Sequence, residues 1–217
     1  SDTFIPAGGR PETINDTNWS DYMLEGTNTP SSKLIVEGAN LFLTPVAREM
    51  LTMKAGCVIV KDSSANKGGV ICSAYEIMAS ILLDDRDEFM NIKQEFVPDV
   101  LKCIREKAKK EALLLFREHK NNPTISLPHV SDQISTNILR ISDAMEKKLK
   151  TLDLEEINYL LPLVKESLPK KLVQVAWDRF SYKVPKTFQF NLLASTMASE
   201  IVYREGNDFT SSLDLIL

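Results

Sequence analysis

The sequence is poor in the residues that build disulfide frameworks and zinc sites. It holds three cysteines, odd in number and widely spaced, and only two histidines. Such cysteines argue against a disulfide framework and favour a reducing, intracellular compartment, the cytoplasm first, with mitochondria or another organelle left open. Neither His119 nor His129 has a second histidine or a cysteine at ligand spacing, so no metal site is expected.

The sequence also lacks an excess of positive charge and a long hydrophobic run. Its 26 Lys and Arg stand against 30 Asp and Glu, for a net charge of -4, whereas nucleic-acid-binding domains are usually basic. Its apolar runs fall well short of the ~20 residues that span a bilayer. These features argue against a nucleic-acid partner and against a membrane protein, while 43% hydrophobic residues allow a proper core.

The first part of the chain alternates between short β-rich runs and helical patterns. Three runs are predicted strands: "TFIPA" (3–7), "KLIVEG" (33–38) and "CVIVKD" (57–62). Helices are predicted over 45–53, capped by Thr44, and over 68–83, with Val70, Ile77 and Leu82 on one apolar face. Strands that alternate with helices predict an α/β fold with a parallel sheet and crossover connections.

From about residue 87 onward the apolar residues recur at helical spacing and predict a mostly α-helical region. The predicted features are a loop over 121–129, a helix capped by Ser131, a capping box from Asp153 and Glu156, breaks at Pro162 and Pro169, and a last helix over 187–204. No obvious catalytic constellation lies in this half. We therefore divide the chain into residues 1–83 and residues 84–217.

Each predicted strand is followed by a loop of small and amide residues: "PAGGRP" (6–11), "EGAN" (37–40) and "KDSSANKGGV" (61–70). Glycine lets the backbone approach a ligand closely, and asparagine offers a donor and an acceptor to an amide, a ribose or a carboxylate. Gly68 and Gly69 stand ahead of a helix, where free N–H groups favour an anion. Each loop alone could be only a turn, but the loops of a parallel sheet open on one edge.

The stretches "FIPAGGRP", "KLIVEGANLFLT" and "KDSSANKGGVICSAYEI" together resemble glutamate dehydrogenase, in particular its large NAD-specific form. That family carries a strand-ending E-G-A-N and a later A-N-x-G-G-V-x-x-S in its cofactor domain, and this sequence matches both in order and separation. The tail "ASTMASEIVYREG" (194–206) is similar to the same branch. The resemblance implies the C-terminal part of a Rossmann-like NAD-binding domain over 1–83, followed by the family's C-terminal helical region over 84–217.

The resemblance also implies roles for single residues on the cofactor side. Asn40 would lie beside the nicotinamide ribose of NAD, and Asn66 would lie near the nicotinamide end of the site. Gly8 and Gly9 would belong to the cofactor-binding loop. Asn66 could equally be a turn residue in the left-handed backbone conformation. Lys67 lies inside the matched motif but corresponds to no catalytic lysine of the family.

On the substrate side, the resemblance implies that Ser73 meets the side-chain carboxylate of glutamate. Val70 would pack against the methylene chain of the substrate, and Gly69 would line the same site. The alternative for Ser73 is a buried helical serine that is bonded to its own preceding turn. A polar Ser73 suits a substrate with a distal carboxylate, whereas an apolar residue there would suit leucine or phenylalanine.

The family's reaction oxidises L-glutamate to 2-oxoglutarate and ammonia and passes a hydride to NAD. Its catalytic lysine and acid–base aspartate lie upstream in motifs that this sequence lacks, and the dinucleotide fingerprint G-x-G-x-x-G is also missing. We therefore expect an inactive part of a longer, homo-oligomeric enzyme. Two alternatives stay open: a non-catalytic helical scaffold or oligomerisation module, and another amino-acid dehydrogenase of the same superfamily.

Overall fold

The computed structural model describes residues 1–207 as a small parallel sheet followed by helices. The strands are β1 (Thr3–Phe4), β2 (Leu34–Val36) and β3 (Val58–Val60). The helices are α1 (Pro45–Ala55), α2 (Asp62–Ala65), α3 (Gly68–Leu82), α4 (Arg86–Asn121), α5 (Leu127–Leu149), α6 (Leu154–Ser167), α7 (Lys170–Ala176), α8 (Phe180–Lys183) and α9 (Lys186–Glu205). The α/β prediction is confirmed; residues 208–217 of the predicted helical region lie outside the described part.

The sheet has the order β1-β2-β3, and both strand pairs are parallel. Ile35 of β2 pairs in register with Ile59 of β3, and both side chains are buried. Each strand is shorter than its predicted run. Pro6, for example, follows β1 and has no N–H with which to continue the ladder.

Helix α1 begins where its sequence predicts and ends at Ala55, two residues beyond the predicted end at Met53. The Thr44 hydroxyl accepts the N–H of Ala47 at 3.1 Å, and Pro45 occupies the first helical position. Gly56 caps the helix, and its φ of 64° is left-handed and therefore favours glycine. Beneath α1 lies a cluster of buried side chains: Ile35, Phe42, Leu43, Leu51, Cys57 and Ile59.

The predicted apolar face of α3 is wrong in part. The buried residues of this helix are Tyr75, Met78, Ala79 and Leu82. Val70 is 75% exposed and Ile77 is 54% exposed. The apolar residues of α3 extend around more than one side of the helix. The side that is buried contains Tyr75, Met78 and Leu82, spaced i, i+3 and i+7.

Two helix boundaries of the second half also differ from the prediction. Helix α5 begins at Leu127, so Ser131 lies inside it rather than at its cap, and its side chain is buried. Pro128 in the first turn is compatible with this earlier start, since the first amides of a helix need no intrahelical acceptor. Pro162 lies within α6 without breaking it, whereas Pro169 does separate α6 from α7.

The predicted loop over 121–129 is shorter in the structure, from 122 to 126. Two other predictions for the helical half are confirmed. Asp153 accepts the N–H of Glu156 at 2.9 Å, and the Glu156 carboxylate accepts the N–H of Asp153 at 3.0 Å, which is a capping box. Helix α9 ends at Gly206, one residue beyond Glu205. Among the helices of residues 1–207, none has an apolar stretch long enough to span a bilayer.

The described chain packs into two compact units that are discontinuous in sequence. The first unit is Ser1–Lys67 with Glu111–Gln133, and the second is Gly68–Lys110 with the described residues from Ile134 onward. The sheet, α1 and α2 belong to the first unit, and α3 and α6 to α9 belong to the second. The division of the chain at residue 83 concerns the domains implied by the family resemblance and stays a prediction.

Candidate ligand-binding site

The loops that follow the three strands are tied together within the first unit. The N–H of Ala39, in the second loop, donates to the carbonyl of Pro6, in the first loop, at 2.6 Å. The N–H of Leu41 donates to the Asp62 carboxylate, just after β3, at 2.8 Å. The carboxyl ends of the parallel strands therefore open on one edge, where ligands bind in open α/β sheets.

Glycine is required at two positions of this edge because the backbone segments approach closely. A Cβ on Gly38 would lie 3.2 Å from the carbonyl oxygen of Pro6. Gly9 has a φ of 118°, and a Cβ there would lie 3.0 Å from the ring of Phe42. A Cβ on Gly8, by contrast, would meet no atom within 4 Å. The first loop therefore packs closely against Phe42 at Gly9, whereas the backbone at Gly8 has free space beside it.

Both predicted cofactor asparagines are exposed. Within residues 1–207, no hydrogen bond engages the side-chain amide of Asn40 or that of Asn66, so both amides are available to a ligand. Asn66 follows α2 with a φ of -110°, and its N–H donates to the carbonyl of Asp62 at 2.7 Å. Asn66 is thus a turn residue, but it does not adopt the left-handed conformation; in the loop after β2, Leu41 does, with a φ of 54°.

A buried ionic cluster lies beside these loops. Arg48 of α1 donates from Nε and Nη2 to the two carboxylate oxygens of Glu37, at 2.6 and 2.9 Å. Its Nη2 also lies 3.6 Å from the Asp62 carboxylate. Glu37 is fully buried, and Arg48 and Asp62 are nearly so. Burial by itself lowers the pKa of Arg48, but the hydrogen bonds that Arg48 donates to Glu37 and the charges of both acids outweigh it and hold that pKa above its usual value.

The third loop has two further anchors inside the first unit. The hydroxyl of Ser64, in α2, lies 2.6 Å from that of Ser131, in α5, so the buried Ser131 side chain has a hydrogen-bond partner. The ammonium group of Lys67 pairs with the carboxylate of Glu111, a residue that is 2% exposed. Lys67 therefore anchors the segment that contains Asn66, and the geometry supports no catalytic role for it.

The predicted substrate residues lie on α3, in the second unit. Gly69, Val70 and Ser73 fall within about a 100° sector of this helix and are all exposed. Within the described chain the Ser73 hydroxyl has no hydrogen-bond partner. The alternative of a buried serine bonded to its own turn is therefore wrong. Gly8, Gly9, Asn40 and Asn66 all lie in the first unit.

Sequence reasoning missed the cluster of Glu37, Arg48 and Asp62. One signal could have revealed it. Arg48 stands on the helix face that Ala47 and Leu51 define as buried, at a position where an apolar residue is expected. A charged residue at such a position needs a buried partner of opposite charge.

Residues 1–148 match the Glutamate/Leucine/Phenylalanine/Valine dehydrogenase family. The NAD-specific glutamate dehydrogenase of Saccharomyces cerevisiae is 34% identical over 221 aligned residues, which cover 95% of this chain and 20% of that protein. Glutamate dehydrogenase 2 of Dictyostelium discoideum is also 34% identical, with 95% and 20% covered. The probable NAD-specific glutamate dehydrogenase of Schizosaccharomyces pombe is 29% identical, with 94% and 19% covered.

The chain thus spans about a fifth of the length of the curated relatives it matches. No solved structure matches it.

Proposed function

We propose a function from an established premise: the chain belongs to the Glutamate/Leucine/Phenylalanine/Valine dehydrogenase family. In this proposal the chain is part of a longer NAD-dependent glutamate dehydrogenase. Residues 1–83 form the end of its NAD-binding domain, and residues 84–217 form its C-terminal helical region. The observation that carries the proposal is the edge of the parallel sheet, where three loops meet and two asparagine amides have no internal partner.

The residues at this edge fit the nicotinamide end of NAD. Asn40 and Asn66 offer amide donors and acceptors that suit ribose hydroxyls and a carboxamide. The space around Gly8 lets the cofactor approach the backbone, while Gly9 keeps the loop in its left-handed turn. When bound, NAD supplies the acceptor for the hydride that the substrate loses. The asparagines bind and orient NAD, and the strands of the sheet hold the loops that carry them in place.

The substrate of the proposal is L-glutamate, with 2-oxoglutarate and ammonia as products. Ser73 donates a hydrogen bond to the distal carboxylate of the substrate, and its exposed, unpartnered hydroxyl supports this role. Val70 packs against the methylene chain, which accounts for an apolar side chain that is 75% exposed. Gly69, near the start of α3, leaves space for the substrate, since a Cβ there would meet nothing within 4 Å.

The proposal assigns no catalytic residue to this chain. The lysine that activates water and the acid–base aspartate belong to another part of the polypeptide, so the isolated chain has no activity. The complete enzyme is a homo-oligomer that works inside the cell, and the three cysteines, free in the described structure, support a reducing compartment.

The experiment is a glutamate-dependent NAD reduction assay on the full-length protein. Ser73→Ala should raise the KM for glutamate about 10- to 100-fold, because a hydrogen bond to a charged group contributes about 1.5–3 kcal/mol. Asn40→Ala should raise the KM for NAD. Residues 1–217 alone should give no NADH.

Ser80→Ala is the matched control, because Ser80 is an exposed serine of the same helix outside the proposed site. Its KM for glutamate should equal that of the wild type. A full-length protein that is inactive with glutamate but oxidises leucine, phenylalanine or valine would overturn the substrate. Activity that Ser73→Ala leaves unchanged would overturn the role of Ser73.

A further inference from the structure

We propose that Asp62 is a positioning residue for the cofactor, which acts by fixing the peptide between Asn40 and Leu41. This inference rests on the proposed function, because it takes Asn40 as a cofactor contact. In this inference Asp62 does not contact the cofactor itself, and its hydrogen bond to Leu41 is the reason why the loop keeps its conformation. The geometry around the Asp62 carboxylate carries it.

Asp62 is 6% exposed, and its two carboxylate oxygens have different partners. Oδ2 accepts the N–H of Leu41 at 2.8 Å, and Oδ1 accepts the N–H of Ser63 at 2.8 Å. Nη2 of Arg48 lies 3.6 Å from Oδ1 and supplies the opposite charge. A charged acceptor in a buried place makes stronger hydrogen bonds than a neutral one, so the Leu41 N–H is held firmly.

Leu41 needs this support because its backbone is unfavourable for a leucine. Its φ of 54° lies in the left-handed region, which costs an L-residue with a Cβ about 1–2 kcal/mol. Packing of its side chain offsets only part of this cost, since Leu41 is 54% exposed. The hydrogen bonds that hold it are the one to Asp62 and the one from the N–H of Glu12 to the Leu41 carbonyl, at 2.7 Å.

The N–H that Asp62 binds belongs to the peptide that begins at the carbonyl of Asn40. Because the peptide unit is planar, holding it fixes the position of the Asn40 Cα, from which the side chain extends. Without the carboxylate, Leu41 is free to leave the left-handed region, and the Asn40 Cα shifts with the peptide. An aspartate that only stabilised the fold would affect every ligand and would act independently of Asn40.

The test is Asp62→Asn in the full-length protein. An asparagine offers one acceptor oxygen in place of two and carries no charge, so it cannot hold both the Leu41 and the Ser63 N–H. We expect the dissociation constant and the KM of NAD to rise about 10-fold, with the KM for glutamate unchanged. In the Asn40→Ala background the same substitution should change NAD affinity less than about 2-fold, because the residue through which Asp62 acts is gone.

Asp21→Asn is the control. Asp21 is an exposed aspartate of the same unit and lies outside the three loops that follow the strands, so this variant loses the same charge without touching them. Its NAD affinity should match that of the wild type. If Asp62→Asn leaves NAD affinity unchanged while Asn40→Ala weakens it, the positioning role is overturned and the proposed function stands. Equal effects of Asp62→Asn in both backgrounds overturn the positioning role in favour of a structural one.

If Asn40→Ala itself leaves NAD affinity unchanged, the assignment of Asn40 fails, and the role of Asp62 fails with it. Should Asp62→Asn not fold, hydrogen exchange on the wild-type protein decides. The Leu41 amide should then be protected in the absence of NAD, and exchange at the rate of an unstructured chain overturns the inference.

Discussion

Replacement of Arg48 by methionine should be among the most damaging single changes in the first unit. Methionine fills much of the volume of the arginine stem but donates no hydrogen bond. Within residues 1–207, Arg48 supplies both hydrogen bonds to the Glu37 carboxylate. Arg48→Met therefore leaves a charged carboxylate in a place with no access to water, since Glu37 is 0% exposed.

The size of the effect follows from burial on both sides of the pair. The side chains of Arg48 and Glu37 are 8% and 0% exposed, so solvent screens the pair very little. Removing one partner of such a pair costs about 3–5 kcal/mol, most of which is the penalty for the charge left behind. Replacing both partners by methionine also removes the charge of Glu37, although that of Asp62 stays, and should recover about 2 kcal/mol relative to Arg48→Met alone.

Hydrogen exchange on the full-length protein measures this locally, in peptides that cover β2 and α1. A loss of 3–5 kcal/mol should speed amide exchange about 10²- to 10⁴-fold there, because each 1.4 kcal/mol changes an opening equilibrium tenfold. Arg10→Met serves as the control, since Arg10 is an exposed arginine of the same unit and loses the same charge. It should leave exchange in β2 and α1 unchanged.

Two results would refute this reasoning. If Arg48→Met changes the exchange of β2 and α1 by less than about 5-fold, water reaches Glu37 and the pair is not a buried one. If the double variant exchanges faster than Arg48→Met, the penalty lies in lost packing rather than in the unpaired charge.

Three further predictions concern other parts of the chain. Lys67→Met should lower the local stability around α2 by about 1.5–3 kcal/mol, because it removes the ammonium group that pairs with the buried carboxylate of Glu111. Faster amide hydrogen exchange around α2 measures this loss, and Lys67→Arg, which keeps a positive charge, should lose less. Gly56→Ala should lower the free energy of unfolding by about 1 kcal/mol and speed amide hydrogen exchange in the last turn of α1. Gly56→Asn should lower it less, because asparagine adopts a φ of 64° more readily than alanine. The hydrogen bond from Arg179 lowers the pKa of Glu88, so the ionised Glu88 stabilises the fold near neutral pH, and this contribution is lost as the pH falls from the pKa of an ordinary glutamate through that of Glu88. Urea titrations should show the free energies of unfolding of wild type and Glu88→Gln converging over this range, and values that stay apart would contradict this.

Local signals predicted the elements whose determinants are close in sequence. Thr44 and Pro45 start α1, the capping box of Asp153 starts α6, and Gly206 ends α9. In each case the residue that sets the boundary lies at the end of the helix that it starts or terminates. The short apolar runs and their alternation with helical patterns predicted the three strands and their parallel pairing.

The errors occurred where a distant partner decides. Ser131 looked like a helix cap, yet its hydroxyl binds that of Ser64, a residue 67 positions away, and the helix starts earlier. Val70 and Ile77 were assigned to the apolar face of α3, but burial depends on which elements cover the helix, and periodicity does not encode this. The roles of the candidate site residues came from the resemblance, and they stay predictions.

The residues of the matched motif E-G-A-N differ in whether they are bound within the chain or exposed to a ligand. Glu37 points inward and pairs with Arg48, so its charge stabilises the loop and is not available to a ligand. Gly38 admits the carbonyl of Pro6, which brings the first loop against the second. Asn40 alone presents an exposed side chain without a partner, and the next peptide is fixed by Asp62. A short polar turn can therefore hold one exposed amide in a defined place because its other residues are bound from beneath, and substitutions at Glu37 should change stability while those at Asn40 should change ligand affinity.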